Sequence, residues 1–220
     1  MSNYLIQCDF DGTITEEDVS FLIFDVLGNR DGWHRLMDEY KAERITVGEF
    51  NRRAFAEVKT TPEELTDLVL KSGRVQIKPG FIELITFCIK NDVGFAIVSN
   101  GCDIYIDTIL TDLGLKDIEF HAATGKLLAD TIAVQYIGPE GEMLEKGFKD
   151  AYARQYLARG HRLIYIGNGV SDFPAAEMAE QIFATADLAD CCREKGVAFR
   201  PFTDMYDVVR GLEEILASEK

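Results

Sequence analysis

The chain has 220 residues, of which 23 are lysine or arginine and 38 are aspartate or glutamate, giving a formal net charge of −15. At roughly 150 residues per domain, this length predicts one domain, or one domain with an insert, and a full hydrophobic core. The negative charge repels phosphate backbones and anionic lipid, so we expect neither nucleic acid nor a membrane surface as a partner.

The cysteines and the first residues indicate the compartment. The five cysteines have an odd count and match no disulfide framework, which favours reduced thiols. The N-terminal residues lack the basic-then-apolar pattern of a signal peptide, and no apolar run approaches the ~20 residues that span a bilayer. The sequence therefore predicts a cytoplasmic protein.

Three short apolar runs, at residues 4–8, 93–98 and 163–166, are typical of buried parallel strands. Segments with helical spacing of apolar residues separate them. Because strand and helix alternate, the sequence predicts an α/β protein with a doubly wound, mostly parallel, Rossmann-like sheet. Ligands of such sheets bind beyond the carboxyl ends of the strands, so we expect functional side chains there.

Residues 16–74 interrupt this alternation, because they carry helical spacing and no clear strand. They predict a helical domain inserted after the first strand into a core formed by residues 1–15 and 75–220. Within it, we expect Trp33 and Phe55 to pack in a helical core, the alternative being the wall of an apolar pocket. Alternation around residues 131–137, followed by turn formers, predicts a β-hairpin.

The strongest local feature is Asp9-Phe10-Asp11-Gly12-Thr13, with two carboxylates where the first strand ends. Side chains at i and i+2 of extended backbone share a face, and two like charges held close together favour a bound cation such as Mg²⁺. A metal with two carboxylates suggests phosphoryl transfer. The alternative is that Asp9 caps the strand and Asp11 begins an ordinary turn.

The second apolar run leads into Ser99-Asn100-Gly101, which offers a hydroxyl, an amide and an unhindered backbone N–H. Such groups near a helix N-terminus bind anions, although an ordinary turn is an equal alternative. The third run ends in a polar loop, residues 167–172, which also precedes a helix.

Two lysines, Lys146 and Lys149, lie at the predicted start of the helix before the third run. A lysine at a helix start is electrostatically unfavourable unless an anion lies nearby. The alternative for each is a solvated surface lysine.

Together these segments resemble the motifs of the haloacid dehalogenase-like (HAD) phosphatase superfamily, in its phosphoserine-phosphatase-like branch. The insert resembles the cap domain of that branch. The four motifs correspond, in order, to residues 9–13, Ser99, Lys146 and residues 167–172. Within the branch, a group of methionine-salvage phosphatases that act on a 2-hydroxy-3-keto-5-methylthiopentenyl phosphate is similar at residues 173–176, 188–196 and 199–202.

The resemblance implies a Mg²⁺-dependent phosphomonoesterase for a small phosphorylated metabolite. Asp9 would attack phosphorus to form an aspartyl-phosphate, and Asp11 would act as general acid and then as general base. Binding of the phosphate would fall to Ser99, Asn100, Gly101 and Lys146. The implied metal ligands are Asp9, Asp11, Asn168 and Asp172.

Some positions depart from the branch. Asn168 stands where aspartate is usual, so Mg²⁺ affinity is expected to fall unless Asp172 contributes. Asn100 replaces a glycine common in phosphoserine phosphatases. In the predicted cap, Asp18 stands where those enzymes carry a glutamate for the substrate amine. Because aspartate is shorter, it argues against the hypothesis that phosphoserine is the substrate. Arg52 aligns with their carboxylate-binding arginine, the alternative being a solvated helix arginine.

Other functions stay open beside this hypothesis. One is a phosphoserine-type phosphatase, and another is a weakly active module that binds a phosphometabolite, which Asn168 would favour. A mutase or phosphotransferase that passes the phosphoryl group to another acceptor is a third alternative. We expect a monomer or a homodimer.

Overall fold

A computed structural model describes residues 3–129 and 131–218. The chain forms two compact units: a first unit of Met1–Glu16, Ile77–Val98 and Lys149–Lys220, and a second unit of Glu17–Gln76 and Ser99–Phe148. The bounds predicted for the cap, 16–74, are close to those of the first segment of the second unit, but residues 99–148, which the sequence predicts as core, belong to the second unit too. The division into a catalytic core and a cap stays a prediction. The ends of the predicted core, residues 1–2 and 219–220, lie outside the described residues.

The described chain begins with one strand and five consecutive helices, after which strands and helices alternate except where three strands follow one another. The strands are β1 (Tyr4–Cys8), β2 (Gly94–Cys102), β3 (Glu119–Leu128), β4 (Thr131–Ile137), β5 (Met143–Leu144), β6 (Arg162–Gly167), β7 (Gln181–Ala184) and β8 (Arg200–Pro201). The helices are α1 (Val19–Leu27), α2 (Arg30–Lys41), α3 (Val47–Ala56), α4 (Pro62–Lys71), α5 (Phe81–Lys90), α6 (Asp103–Asp112), α7 (Phe148–Ala158), α8 (Phe173–Ala176), α9 (Ala186–Lys195) and α10 (Met205–Ala217).

The first unit is built on parallel strands in the order β2-β1-β6-β7-β8. The register places Cys8, the last residue of β1, beside Ile97 of β2 and Ile166 of β6. All residues of β1 are buried, as expected of a parallel strand covered on both faces. Strand order reverses beside β1, which is where doubly wound sheets bind ligands. The predicted mostly parallel α/β fold is confirmed.

Strand β2 is longer than the sequence predicts. The apolar run ends at Val98, but the strand continues to Cys102, so Ser99, Asn100 and Gly101 lie within β2 and the following helix begins at Asp103. Backbone pairing with the neighbouring β3 supports this continuation. The three polar residues therefore have extended backbone and do not form the ordinary turn that was the alternative.

Helices α1 to α4 of the second unit begin with side-chain caps. The Asp18, Thr46 and Thr61 side chains accept hydrogen bonds from backbone N–H groups in the first turns of α1, α3 and α4. Trp33 and Phe55 are buried, as predicted, and each packs against Phe24, with ring centroids 6.2 and 4.8 Å away. These contacts make Trp33 and Phe55 part of the helical core.

Strands β3, β4 and β5 form antiparallel pairs in the second unit. The predicted turn formers connect β4 to β5, where the N–H of Gly138 donates to Glu142 and the N–H of Gly141 donates to Gly138. The predicted hairpin is therefore confirmed. None of the helices within residues 3–129 and 131–218 combines the length and apolar character needed to cross a bilayer.

Candidate active site

The loop after β1 holds two carboxylates in a tight turn. The backbone carbonyl of Phe10 accepts hydrogen bonds from three following N–H groups, and Gly12 adopts φ +70°, a left-handed conformation that favours glycine. The loop folds back on itself here, and Asp9 and Asp11 are only 5% and 8% exposed. Two carboxylates are thus kept largely out of water, which is costly unless a cation accompanies them.

Lys149, in the first turn of α7, supplies positive charge to this loop. Its Nζ lies 2.7 Å from Oδ1 of Asp9 and 2.6 Å from Oδ1 of Asp172. The three residues are 3%, 5% and 0% exposed, in the order Lys149, Asp9, Asp172. Buried charges are tolerated when they are paired, so these side chains depend on one another. We call them the charge cluster.

Asp172 is the anchor of the charge cluster. Its Oδ1 accepts from Lys149 and from the Tyr165 hydroxyl, both at 2.6 Å. Its Oδ2 accepts from the backbone N–H groups of Asn168 and Gly169, at 3.1 and 2.8 Å. Four donors therefore use both oxygens, and the Asp172 carboxylate closes the loop after β6 while it holds Lys149 in place.

The surroundings shift the pKa values of two members of the charge cluster, Asp9 and Lys149. Burial and the carboxylate of Asp172 raise the pKa of Asp9 to about 7, and this outweighs the lowering by Lys149. Burial by itself would lower the pKa of Lys149, but the carboxylates of Asp172 and Asp9 raise it above its ordinary value. Lys149 therefore stays charged near neutral pH, whereas Asp9 takes up a proton readily in the absence of another cation.

Asn168 is held against the loop that carries Asp9 and Asp11. Its Oδ1 accepts a hydrogen bond from the Thr13 hydroxyl at 3.0 Å. A Cβ atom built on Gly12 would lie 2.4 Å from its Nδ2, so glycine is required there by the close approach as well as by φ. The structure thus brings the predicted fourth-motif amide to the first-motif loop.

The second unit holds the predicted phosphate-binding residues of β2. Ser99 is buried, and its Oγ accepts a hydrogen bond from the N–H of Gly101 at 3.0 Å. The Gly101 N–H and the Ser99 hydroxyl thus face each other, with Asn100 between them in the sequence. The pair carries no charge, and within it the Gly101 N–H is the donor and the Ser99 oxygen the acceptor.

Two predicted cap residues have partners inside the second unit. Arg52 Nη1 lies 2.7 Å from Oε1 of Glu145, and both side chains are about half exposed. Asp18 accepts from the N–H of Phe21 at 2.9 Å and so caps α1. The predicted substrate contacts of Arg52 and Asp18 therefore stay predictions, and each residue has a structural partner as well.

The sequence and the structure favour different lysines for the third motif: Lys146 in the sequence and Lys149 in the structure. Lys146, to which the resemblance gives the role, is exposed and precedes α7. Lys149 is buried in the charge cluster. A sequence signal existed, because Lys149 is four and seven residues before Ala153 and Tyr156, on one buried helix face.

Tyr165, whose hydroxyl donates to Asp172, is not among the site residues predicted from the sequence. It lies within the apolar run of β6 and is fully buried, where a tyrosine hydroxyl usually requires a partner. Burial and the Asp172 carboxylate raise its pKa well above the ordinary value, so the hydroxyl remains a donor. The signal that could have found it is a tyrosine inside an apolar run, residues 163–166, whose other members are aliphatic.

Comparison with known proteins agrees with these motifs. A family model described as haloacid dehalogenase-like hydrolase matches residues 6–177. Proteins named 2-hydroxy-3-keto-5-methylthiopentenyl-1-phosphate phosphatase are similar over most of their length. The one from Bacillus velezensis is 30% identical, covering 96% of this chain and 90% of its own. The one from Brevibacillus brevis is 26% identical, covering 94% of each chain.

Solved structures share the fold at low sequence identity. A structure titled as a phospho-aspartyl intermediate analogue of phosphoserine phosphatase has a TM-score of 0.71 at 17% identity, covering 96% of this chain and 99% of that one. A substrate-bound phosphoserine phosphatase complex has the same TM-score and identity. The predicted superfamily, the phosphatase class and the likeness to methionine-salvage phosphatases are confirmed by the comparisons.

Proposed function

Because the chain belongs to the haloacid dehalogenase-like hydrolase family, we propose that it hydrolyses a phosphomonoester of a small metabolite through an aspartyl-phosphate on Asp9, with Mg²⁺ as cofactor. The observation that carries this proposal is the charge cluster: a buried carboxylate at the end of β1 held by a buried lysine. A nucleophile fixed in this way is oriented before substrate arrives, and orientation lowers the barrier of a displacement.

The reaction is divided into two steps. In the first, an Asp9 oxygen attacks phosphorus, the bond to the leaving oxygen breaks, and Asp11 gives that oxygen a proton. In the second, water attacks the phosphorus, the acyl-phosphate bond breaks to restore the Asp9 carboxylate, and Asp11 takes the proton of the water. Asp11 ends as it began, so the cycle is balanced.

Lys149 takes the role that the resemblance gave to Lys146. Its charge compensates Asp9 while that carboxylate is ionised, and after attack it faces an ester oxygen that carries less charge. Asp172 then retains Lys149 through its second contact. The phosphoryl oxygens are bound, in this proposal, by Ser99 and the N–H groups of Asn100 and Gly101, since neutral donors aimed at developing charge stabilise the transition state.

The residues of the first unit fit Mg²⁺. Asp9 uses Oδ1 for Lys149, which leaves Oδ2 to a cation, and Asn168 offers an amide oxygen with a second lone pair beside the one given to Thr13. Among the described residues no group of three His, Cys, Asp or Glu side chains could hold a metal ion. Mg²⁺ suits such a sparse site, because it keeps several waters. When bound, it would neutralise charge between nucleophile and phosphate.

We assign the metal ligands to Asp9, the backbone carbonyl of Asp11 and Asn168. Asp172 is the weaker candidate, because four donors already use both of its oxygens. Its contribution to the metal would be to orient Asn168 through the backbone hydrogen bond. A charge-poor ligand set predicts weak Mg²⁺ binding.

The substrate is proposed from the relatives and from the second unit. The relatives' names point to a methylthio-ketopentenyl phosphate, which carries no carboxylate. Phosphoserine carries one, and the arginine that would bind it, Arg52, already pairs with Glu145. This pairing favours the methionine-salvage type of substrate over phosphoserine.

The test is a comparison of phosphate release from several substrates, with Mg²⁺ and with EDTA. The substrates are the methylthio-ketopentenyl phosphate, phosphoserine, phosphocholine, pyridoxal phosphate and p-nitrophenyl phosphate. Asp9→Asn should lower turnover by at least ~10³-fold, since an amide cannot attack as an anion. Asp117→Asn, at an exposed position, is the control.

Three outcomes would each correct a part of the proposal. Release that EDTA leaves unchanged would remove Mg²⁺ from it. A rate for Asp9→Asn within tenfold of the parent would exclude the covalent route. No release from any substrate, together with measurable binding of phosphate, would indicate the weakly active binding module.

A further inference from the structure

Two polar side chains of the second unit meet at one backbone carbonyl. The carbonyl of Asn100 accepts from Nδ2 of Asn51 at 3.0 Å and from the hydroxyl of Tyr136 at 2.5 Å. Nδ2 of Asn51 also donates to the Tyr136 oxygen at 2.6 Å. Asn51 lies on α3, Tyr136 on β4 and Asn100 on β2, so three elements distant in sequence are joined here. We call Asn51 and Tyr136 the carbonyl clamp.

The clamp is buried, which makes its hydrogen bonds consequential. Asn51 and Tyr136 are 5% and 4% exposed. A buried polar group that loses its partner retains its desolvation cost, so each bond is worth more than a similar one at the surface. Asn51 also stands on the buried face of α3 beside Phe50, where an apolar residue would pack at lower cost. A polar side chain at this position is explained by the carbonyl that it binds.

The clamp acts on a donor that it does not touch. The carbonyl of Asn100 and the N–H of Gly101 belong to one planar trans peptide, and they point in opposite directions. Two donors on the carbonyl use both of its lone pairs and fix the plane. The N–H on the other side is thereby directed to Oγ of Ser99, where the structure places it at 3.0 Å.

We propose that Asn51 and Tyr136 are positioning residues, which set the orientation of the Asn100–Gly101 peptide and so preorganise Ser99 Oγ and the Gly101 N–H for a phosphoryl group. This inference rests on the proposed function, because it takes Ser99 and Gly101 to bind phosphate. It adds that helix α3 and strand β4 control the quality of that binding through a single carbonyl.

The minimal test is Tyr136→Phe, which removes one hydroxyl and keeps the ring. Kinetics with p-nitrophenyl phosphate should show kcat/KM lower by roughly tenfold, the effect of one buried hydrogen bond. The inhibition constant of inorganic phosphate should weaken by a similar factor, whereas the acid limb of the pH profile, which reports Asp9, should not move. Tyr40→Phe, another tyrosine of the second unit, is the control.

A second measurement does not depend on activity. In the phosphate-free protein, hydrogen exchange of the Gly101 amide followed by NMR should be faster in Tyr136→Phe than in the parent, by about the same tenfold factor. Asn51→Asp, which keeps the size of the side chain but replaces the donor by an acceptor, should act in the same direction. If Asn51→Asp does not fold, Tyr136→Phe and the exchange rate still decide the question.

The outcomes separate the clamp from the proposed function. Unchanged Gly101 exchange, or a phosphate inhibition constant within twofold of the Tyr40→Phe control, would overturn the positioning role even in an active enzyme. A parent protein that releases no phosphate, but whose Gly101 exchange responds to Tyr136→Phe, would overturn the proposed function and leave the clamp as a device that orders β2. A lower melting temperature with unchanged phosphate inhibition would mark a merely structural contact.

Discussion

In the first unit, the charge cluster joins three buried side chains of the charged type, whereas in the second unit the carbonyl clamp joins two buried neutral side chains to the backbone carbonyl of Asn100. The charged network raises the pKa of Asp9 and therefore controls when the proposed nucleophile is ionised. The neutral network fixes the direction of a peptide. In the proposed function, the charged network therefore serves the chemical steps, and the neutral network serves the binding of phosphate through the direction of one peptide.

The difference also predicts what a substitution in each network does to stability and activity. Removal of one member of a buried ion cluster leaves uncompensated charge, which costs several kcal/mol. Removal of one hydroxyl from a neutral network costs about 1–3 kcal/mol. Substitutions in the charge cluster should therefore reduce stability and activity together, and substitutions in the clamp should reduce mainly binding.

The largest effect is expected for Lys149→Met. With the cation gone, two buried carboxylates face each other, so we expect unfolding free energy to fall by about 3–5 kcal/mol and kcat/KM to fall by at least ~10²-fold. Because the folded-state pKa of Asp9 is already raised, a proton can replace the missing charge, and the stability loss should be smaller at pH 5.5 than at pH 8. Urea unfolding at both pH values measures this.

Lys146→Met is the matched control for that variant. Lys146 is exposed, so its loss should change stability by less than about 0.5 kcal/mol and activity by less than about twofold. If Lys146→Met were the more damaging of the two, the third-motif role would return to Lys146, and the charge cluster would be structural.

The next effect concerns Asn168→Asp, which replaces the proposed neutral ligand of Mg²⁺ by a charged one. An added charge a few Å from Mg²⁺ is worth on the order of 1 kcal/mol or more, so half-saturating Mg²⁺ should fall by roughly tenfold. Asn91→Asp adds the same charge at an exposed position and controls for the general field of the protein. An unchanged half-saturation in Asn168→Asp would place Asn168 outside the metal ligands.

The pH profile tests the same region without a mutation. Asp9 must be ionised to attack, and its pKa is raised to about 7, so activity should rise with pH through the acid limb. A cation beside Asp9 favours the ionised form, so added Mg²⁺ should move that limb to lower pH. The shift should reach up to about one unit for each tenfold rise of the Mg²⁺ concentration above its Kd for the site with Asp9 ionised. A limb that stays in place would mean that Mg²⁺ and Asp9 are not neighbours.

The charge cluster was partly visible in the sequence, because its members follow local signals. Asp9 directly follows one apolar strand, and Asp172 ends the polar loop that follows another. The choice between Lys146 and Lys149 depended on helical register, which the residues also contain. Only the contacts of Lys149 with Asp9 and Asp172 could not be predicted without the fold.

The clamp was not predictable in this way. Asn51 and Tyr136 are separated from Asn100 by 49 and 36 residues and belong to a helix and a strand. Periodicity indicates which face of a helix or strand is buried. It does not indicate which backbone group of another element that face will contact. The continuation of β2 beyond Val98 was missed for the same reason, since β pairing is decided by a partner elsewhere in the chain.

The smallest effect is expected at the surface of the second unit, where Glu145 pairs with Arg52. An exposed ion pair contributes about 0.2–1 kcal/mol, so its removal by Glu145→Gln should release Arg52 and raise kcat/KM for phosphoserine, relative to p-nitrophenyl phosphate, by roughly 1.4- to 5-fold. Substitution of Arg52 by Gln in the same background should abolish the gain. A ratio that does not change would show that Arg52 plays no part in substrate choice, and the preference against phosphoserine would then have to come from elsewhere, with Asp18 as the next residue to test.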